Sequence, residues 1–256
     1  MYQRIAVAGK GGTGKTSIAG LLVAYLVEAG KGPVLAVDAD ANSNLNEVLG
    51  IEIEETIGNI REEVNWAERA GTPIPGGMAK TEYLAYRLNQ ALSEGDGYDL
   101  LVMGRTQGEG CYCFVNGVLK NQIDRLAGNY NHIVIDNEAG MEHVSRGIVG
   151  KVDLLLLVSD YSRRGIQAVG RIKELVAELK FGIAKIGLIV NKAPGGEISA
   201  PIAEEIKAQG LELVGVVPLD PKLSAYDAEG VPLTKLPADS PAKVAVKEIM
   251  RNLNLI

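Results

Sequence analysis

The stretch Arg4-Ile5-Ala6-Val7-Ala8-Gly9-Lys10-Gly11-Gly12-Thr13-Gly14-Lys15-Thr16-Ser17 sets a short aliphatic run against a glycine-rich turn. It fits G-x-x-x-x-G-K-[ST], with the strand required before the motif and an apolar-periodic helix after it. Gly9, Gly11, Gly12 and Gly14 let the backbone curl so that successive N–H groups, with those of Lys10 and Thr13, face a phosphate. The helix that opens at Lys15, Thr16 and Ser17 adds its positive dipole end. Lys15 is placed to reach the β- and γ-phosphates, and the Thr16 hydroxyl to ligate Mg²⁺. A nucleoside triphosphate is the ligand this stretch asks for.

Outward from this loop the chain alternates. Residues 15–30 keep apolar positions at Ile18, Leu21, Leu22, Tyr25 and Leu26, the 3.6-residue period of a helix, and Gly30 stands where a C-cap is wanted. Strands are expected over 33–38, 98–103, 132–136, 153–159, 185–190 and 212–217, with helices over 163–180 and 199–209. Alternation of this kind means βαβ units and a mainly parallel twisted sheet flanked by helices. Composition agrees: the chain is 46% hydrophobic but only 5% aromatic, so aliphatic side chains must fill strands buried on both faces. No flexible linker or repeat interrupts the 256 residues, which read as a single domain, 1–256. Residues 51–97 break the rhythm; this acidic, Pro/Gly-punctuated stretch carries Trp66 and is expected to pack on the sheet as an insertion.

A net charge of −6 argues against a nucleic-acid coat or an anionic-membrane binder. The longest apolar run, 152–160, is far short of a membrane span of about 20 residues. Two cysteines, Cys111 and Cys113, make no disulfide framework, and the chain is expected to be cytoplasmic.

Lys10 adds a second lysine to a loop that already holds Lys15. K-G-G-T-G-K-T resembles the deviant Walker A loop of the SIMIBI-type P-loop ATPases, which include the partition and cell-division ATPases (ParA and MinD) and the nitrogenase iron protein. The resemblance implies that Lys10 reaches ATP held by a second subunit, so that the catalytic unit is a homodimer. It also implies that Asp38-Ala39-Asp40 opens the first switch. Asp38, supported by Asp40, would then orient the attacking water or water around Mg²⁺. The run HIVIDNEAG looks like a Walker B strand, with Asp136 holding Mg²⁺ through water and Gly140 freeing the second switch. Asn191, Lys192 and Pro218 sit where this family contacts the base. Adenine is implied over guanine, since no Asp follows Asn191-Lys192 at the spacing GTPases use.

Cys111-Tyr112-Cys113 supplies two soft ligands where tetrahedral zinc or square-planar nickel needs four. A two-fold axis would supply the other two, and the nucleotide loop asks for the same dimer. With the phosphate loop and the run 136–147, this pair resembles the CooC-type ATPases, which act in nickel insertion into carbon monoxide dehydrogenase. That resemblance implies a shared Ni²⁺ or Zn²⁺ site at the dimer interface, a slow ATPase activity and carbon monoxide dehydrogenase as target. Glu142 and His143 receive no role beyond packing near the second switch.

Three other functions stay open. An electron-transfer ATPase like the iron protein takes its cysteines from two separated places, and only one cysteine locus exists here. A positioning ATPase acting on DNA or membrane is suggested by the last helix, which has Lys243, Lys247 and Arg251 on one side and Val246, Ile249, Met250 and Leu253 on another. A terminal helix docked on the sheet has the same pattern. A cobyrinate-amidating type of ligase shares the fold but gives no reason for paired cysteines.

Overall fold

Aliphatic strands without polar alternation need cover on both faces, and the computed structural model of the chain supplies it. The structure describes residues 3–71, 77–105, 121, 123–137, 151–179 and 182–256. Strand β1 (Gln3–Gly9) leads through the glycine loop into α1 (Lys15–Glu28), and β2 (Val34–Ala39) follows. Next come α2 (Leu45–Leu49), α3 (Ile57–Ala70) and α4 (Lys80–Gln90). Strands β3 (Leu92–Glu94), β4 (Tyr98–Val102), β5 (His132–Asn137) and β6 (Leu154–Asp160) then lead to α5 (Arg163–Glu178). Last are β7 (Lys185–Ala193), α6 (Ala200–Ala208), β8 (Leu213–Pro218), α7 (Pro221–Glu229) and α8 (Pro241–Asn252).

Among the described residues the sheet has eight strands in the order β3-β4-β2-β5-β1-β6-β7-β8. All neighbours pair parallel except β3, which runs antiparallel to β4. Seven strands were expected from the sequence; β3 is the addition. At three residues, LSE, it is too short to carry a period and is defined only by its pairing with Leu101, Leu100 and Asp99. The central strand β1 lies between β5 and β6, so the glycine loop leaves from mid-sheet. In open parallel sheets, ligands bind at that carboxyl edge.

Side chains divide by parity. Ala6 and Ala8 face a layer built from α3, α4, α5 and α6, whereas Ile5 and Val7 face α1, α2 and α8. The insertion therefore packs on the sheet as expected: Ile57, Ile60 and Val64 of α3 and Tyr83, Leu84 and Leu88 of α4 share one core with Leu35, Val37 and Leu101. Trp66 is not part of it and is 68% exposed. Helix α1 is covered by the sheet on one side and by α2 and α8 on the other, so every residue from Ile18 to Leu26 is buried. Truncating Leu22 to alanine there would cost about 2–5 kcal/mol. Helix α8 is docked, with Val246, Ile249 and Met250 in the core. Its Lys243, buried, pairs with Glu28 at 2.9 Å and lies over the Tyr25 ring. The same amphipathic pattern thus serves the sheet.

Candidate active site

Helix α1 begins at Gly14, which has φ 87° and contributes no side-chain cap. Its first N–H groups are left for a ligand instead. A Cβ at Gly14 would meet the Asn191 amide, and one at Gly9 would strike the Val158 carbonyl of β6. Glycine is required at both places by close approach, and at Gly14 by φ as well. Within the loop the Thr13 hydroxyl donates to the Lys10 carbonyl at 2.9 Å, and the Lys15 ammonium reaches the same carbonyl at 3.4 Å. Lys15 is thus folded over the loop it serves, buried, while Lys10 is exposed.

A cavity of about 590 Å³ opens beside the loop. Gly11, Gly12, Gly14, Lys15, Thr16 and Ser17 line it, with Asp40, Asn42 and Asn44 from the loop after β2, Asn191 and Lys192 of β7, and Pro218 and Leu219 at the end of β8. The N–H groups and Lys15 of the loop suit anionic groups, and Pro218 and Leu219 offer apolar surface in the same cavity.

Two buried carboxylates stand at the mouth of the central strands. Asp136 lies near the end of β5 with Oδ1 buried and unpartnered, and the Thr16 hydroxyl is close enough to favour its charged form. Burial pushes its pKa up to about 7; Thr16 pulls it down, while the Asp38 charge pushes it further up and Lys15 opposes that. Asp38 ends β2, fully buried, and accepts the Asp40 N–H at 3.0 Å and the Leu45 N–H at 2.9 Å. Burial pushes it up to about 6, with the Leu45 and Asp40 N–H groups opposing. An orphaned carboxylate oxygen beside a hydroxyl and an anion-binding loop fits Mg²⁺ carried with a triphosphate, since this ion keeps waters and needs few protein ligands.

The family described as CobQ/CobB/MinD/ParA nucleotide binding domain matches residues 5–233. The chain belongs to this family. An uncharacterized ATP-binding protein of Methanocaldococcus jannaschii is 43% identical over 250 residues, covering 97% of each chain. The carbon monoxide dehydrogenase accessory protein CooC of Rhodospirillum rubrum is 30% identical over 247 residues, covering 89% of this chain and 88% of its own. Among solved structures, the septum site-determining protein MinD of Pyrococcus horikoshii, complexed with Mg-ADP, superposes with a TM-score of 0.73 at 23% identity. That match covers 99% of this chain and 96% of the other. It shows the fold, a P-loop ATPase sheet.

As a member of this family the chain is an ATPase. ATP and Mg²⁺ fit the cradle: Thr16 and Asp136 would hold the ion, and Lys15 would stand over the phosphates. When bound, the ion neutralises charge on the phosphoryl oxygens. Asp38 has both oxygens committed to the backbone at Asp40 and Leu45, so in this geometry it ties down the loop that follows β2. Asp40, by contrast, lines the cavity.

The structure brings Gly11, Gly12, Gly14, Lys15, Thr16, Ser17, Asn191, Lys192 and Pro218 to one cavity. Cys111, Cys113, Gly140, Glu142 and His143 lie outside the described residues. Among the described residues no group of three or more His, Cys, Asp and Glu gathers to hold a metal. None of the helices described is long and apolar enough to cross a membrane.

Sequence reasoning missed Asn137, Arg105 and Asn42, and it named Lys192 without its bond to the loop. Asn137 donates to the Val7 carbonyl at 3.0 Å, tying β5 to β1 beside Asp136. Arg105 donates to Asn42 at 2.9 Å, and the Asn42 N–H donates to Asp40 at 2.8 Å. The Lys192 ammonium donates to the Gly12 carbonyl at 2.9 Å across 180 residues of chain. The Asn137–Val7, Arg105–Asn42 and Lys192–Gly12 bonds join residues far apart in the chain, so no local pattern signals them.

Proposed function

We propose that this ATPase is a metal-handling maturation factor. It acts as a homodimer that binds Ni²⁺ or Zn²⁺ through Cys111 and Cys113 of each subunit and assists nickel insertion into a carbon monoxide dehydrogenase. The observation that carries the reading is the 30% identity to CooC across 89% of the chain, taken with the Cys-x-Cys pair. Exposure of Lys10 on the nucleotide loop supports the dimer, since a lysine meant for a neighbour's phosphates must project from its own subunit. Arg105 begins the segment that leads from β4 to the cysteines, and its bond to Asn42 supports communication between the phosphate cavity and that segment. ATP and ADP alter the shared metal site only through their different affinities for two dimer arrangements. The reading places the protein in the cytoplasm.

A second reading, a positioning ATPase, is supported by the MinD of Thermotoga maritima, 25% identical over 240 residues. Docking of α8 on the sheet removes the described helix most suited to a membrane surface. Anaerobic titration with Ni²⁺ and Zn²⁺, read as metal per oligomer with ATP, ADP or neither, separates the readings. One ion per dimer supports the metal-handling function; absence of thiol-dependent binding under every nucleotide condition refutes it.

A further inference from the structure

The turn that leaves β4 is held from two sides. The Met103 N–H donates to the Asp38 carbonyl at 2.8 Å, and the Met103 carbonyl accepts the Gly58 N–H of α3 at 2.8 Å. Gly104 follows at φ 65°, where a Cβ would strike Thr56, the N-cap of α3. A Cβ at Gly58 would come within 2.2 Å of the Arg105 carbonyl oxygen. These two glycines let the first turn of α3 lie backbone to backbone against Met103, Gly104 and Arg105. The insertion between β2 and β4 therefore fixes the point from which the Arg105 side chain springs, besides covering the sheet.

From that anchored turn the Arg105 guanidinium donates to Asn42 Oδ1 at 2.9 Å. A guanidinium has donors and no acceptor, so it can hold only the oxygen of an amide. The NH₂ group of Asn42 is the branch left over, on a side chain that lines the cavity. Below it, the Asn42 N–H donates to the Asp40 carboxylate at 2.8 Å, and the Asp40 N–H to Asp38 at 3.0 Å. Lys15 and Asp40 both stand near enough to Asp136 for their charges to act on it, so this loop begins beside the lysine of the phosphate loop. Asp38, Asp40 and Asp136 already supply carboxyl oxygens here. A phosphoryl group in transfer carries its charge on oxygens and needs donors instead.

We propose that the Asn42 NH₂ group donates to the terminal phosphoryl group of ATP, and that Arg105 is the positioning residue that holds the amide in its donating orientation. The inference uses the ATPase activity alone and does not depend on the cysteines.

Single-turnover hydrolysis, with dissociation constants for Mg-ATP and Mg-ADP, is measured for the native protein, Asn42→Ala, Asn42→Asp, Arg105→Ala, Arg105→Gln and the variant with both alanines. Asn42→Ala is expected to slow hydrolysis at least about tenfold, while Mg-ADP, which lacks the terminal group, binds within about twofold of native. Asn42→Asp separates holding from donating. It keeps an oxygen for Arg105 but offers the phosphate no donor, so it should be at least as slow as Asn42→Ala. Arg105→Ala should lose about fivefold, and Arg105→Gln, which keeps an N–H donor, should recover most of that loss. Because Arg105 acts through Asn42, the variant with both alanines should be no slower than Asn42→Ala. Both positions are exposed, and thermal unfolding of each nucleotide-free variant checks its fold. Should an alanine variant unfold, Asn42→Asp and Arg105→Gln still carry the comparison. Native hydrolysis in Asn42→Asp, or losses at the two positions that multiply when combined, overturns the proposal.

Discussion

Asp38 and Asp136 are register partners, side by side at the carboxyl ends of the parallel strands β2 and β5. The Asp38 charge raises the pKa of Asp136. Burial first, and then the Asp38 charge, push Asp136 up to about 7, and Asp38 itself is pushed up to about 6, chiefly by burial. Two buried carboxyls held this close need a cation between or beside them, and the anion-binding loop next to them brings one in with its phosphates. The nucleotide-free protein is left with a titration that Mg²⁺ and ATP should relieve.

The sign of that titration follows from linkage. A carboxyl whose folded pKa lies above its unfolded value binds protons more tightly in the native state, so stability falls as pH rises between the two values. For Asp136 the window runs from about 4 to about 7. Asp136→Asn removes it. Denaturant unfolding without nucleotide should show the variant gaining on the native protein from pH 4 to 7 and holding a constant lead of roughly 2–4 kcal/mol above that. A constant difference across the whole range would mean that Asp136 is not the titrating group.

Much of this site was legible in the chain. The loop from Gly9 to Ser17 is local, and its strand–turn–helix context fixed both the fold class and the position of the cradle. Asp38 and Asp136 were readable because each closes an aliphatic run. Other features were not local. β3 exists only through its partner β4. Helix α1 showed one apolar stripe in the sequence, yet it is buried on nearly all sides because α8, more than two hundred residues later, closes over it. Asn191 and Lys192 were placed at the base end from their position after β7, while their bonds to Thr13 and Gly12 depend on a bulge that no residue pattern announces.

Thr16→Ala deletes the hydroxyl that favours the charged form of Asp136 and that fits the Mg²⁺ position. The loop's N–H groups and Lys15 stay in place, so ATP binding should survive without the metal's contribution. Affinity measured with Mg²⁺ and with chelator should differ strongly for the native protein and by less than about twofold for the variant, and turnover should fall at least about a hundredfold. A variant that still gains affinity from Mg²⁺ would place the ion elsewhere. Lys15→Ala, which removes the cation over the phosphates, should lose ATP binding under both conditions.

Asp38→Ala frees the Asp40 and Leu45 N–H groups, and with them the loop between β2 and α2. That loop lines the phosphate end of the cavity through Asp40, Asn42 and Asn44. ATP should remain bound through the glycine loop, while hydrolysis slows at least about tenfold because the groups that orient the attacking water lose their support. Single-turnover kinetics test this directly. Unchanged hydrolysis would assign the loop's order to Arg105 and Asn42 alone.

Cys111→Ala combined with Cys113→Ala should abolish Ni²⁺ and Zn²⁺ binding while leaving ATP affinity intact, since the thiolates belong to a different segment from the phosphate loop. Soft thiolate ligands select these ions over Mg²⁺, so Mg-ATP binding provides the internal control. If the double variant still binds one nickel ion per dimer with native affinity, the shared thiolate site is wrong.

Lys10 tests the dimer itself. Its side chain is exposed while that of Lys15 is buried, although both flank one short loop. If Lys10 serves the neighbouring subunit's ATP, then Lys10→Ala and Asp38→Ala are each inactive alone but complementary when mixed. In the mixed dimer, the site on the Lys10→Ala subunit keeps its own Asp38 and receives Lys10 from its partner. The other site has lost its Asp38 and gains nothing. With random pairing, half the dimers are mixed and half their sites are complete, so turnover should recover to about a quarter of the native rate. A lysine acting on its own subunit's nucleotide predicts no recovery at any mixing ratio, because neither chain then holds a complete set.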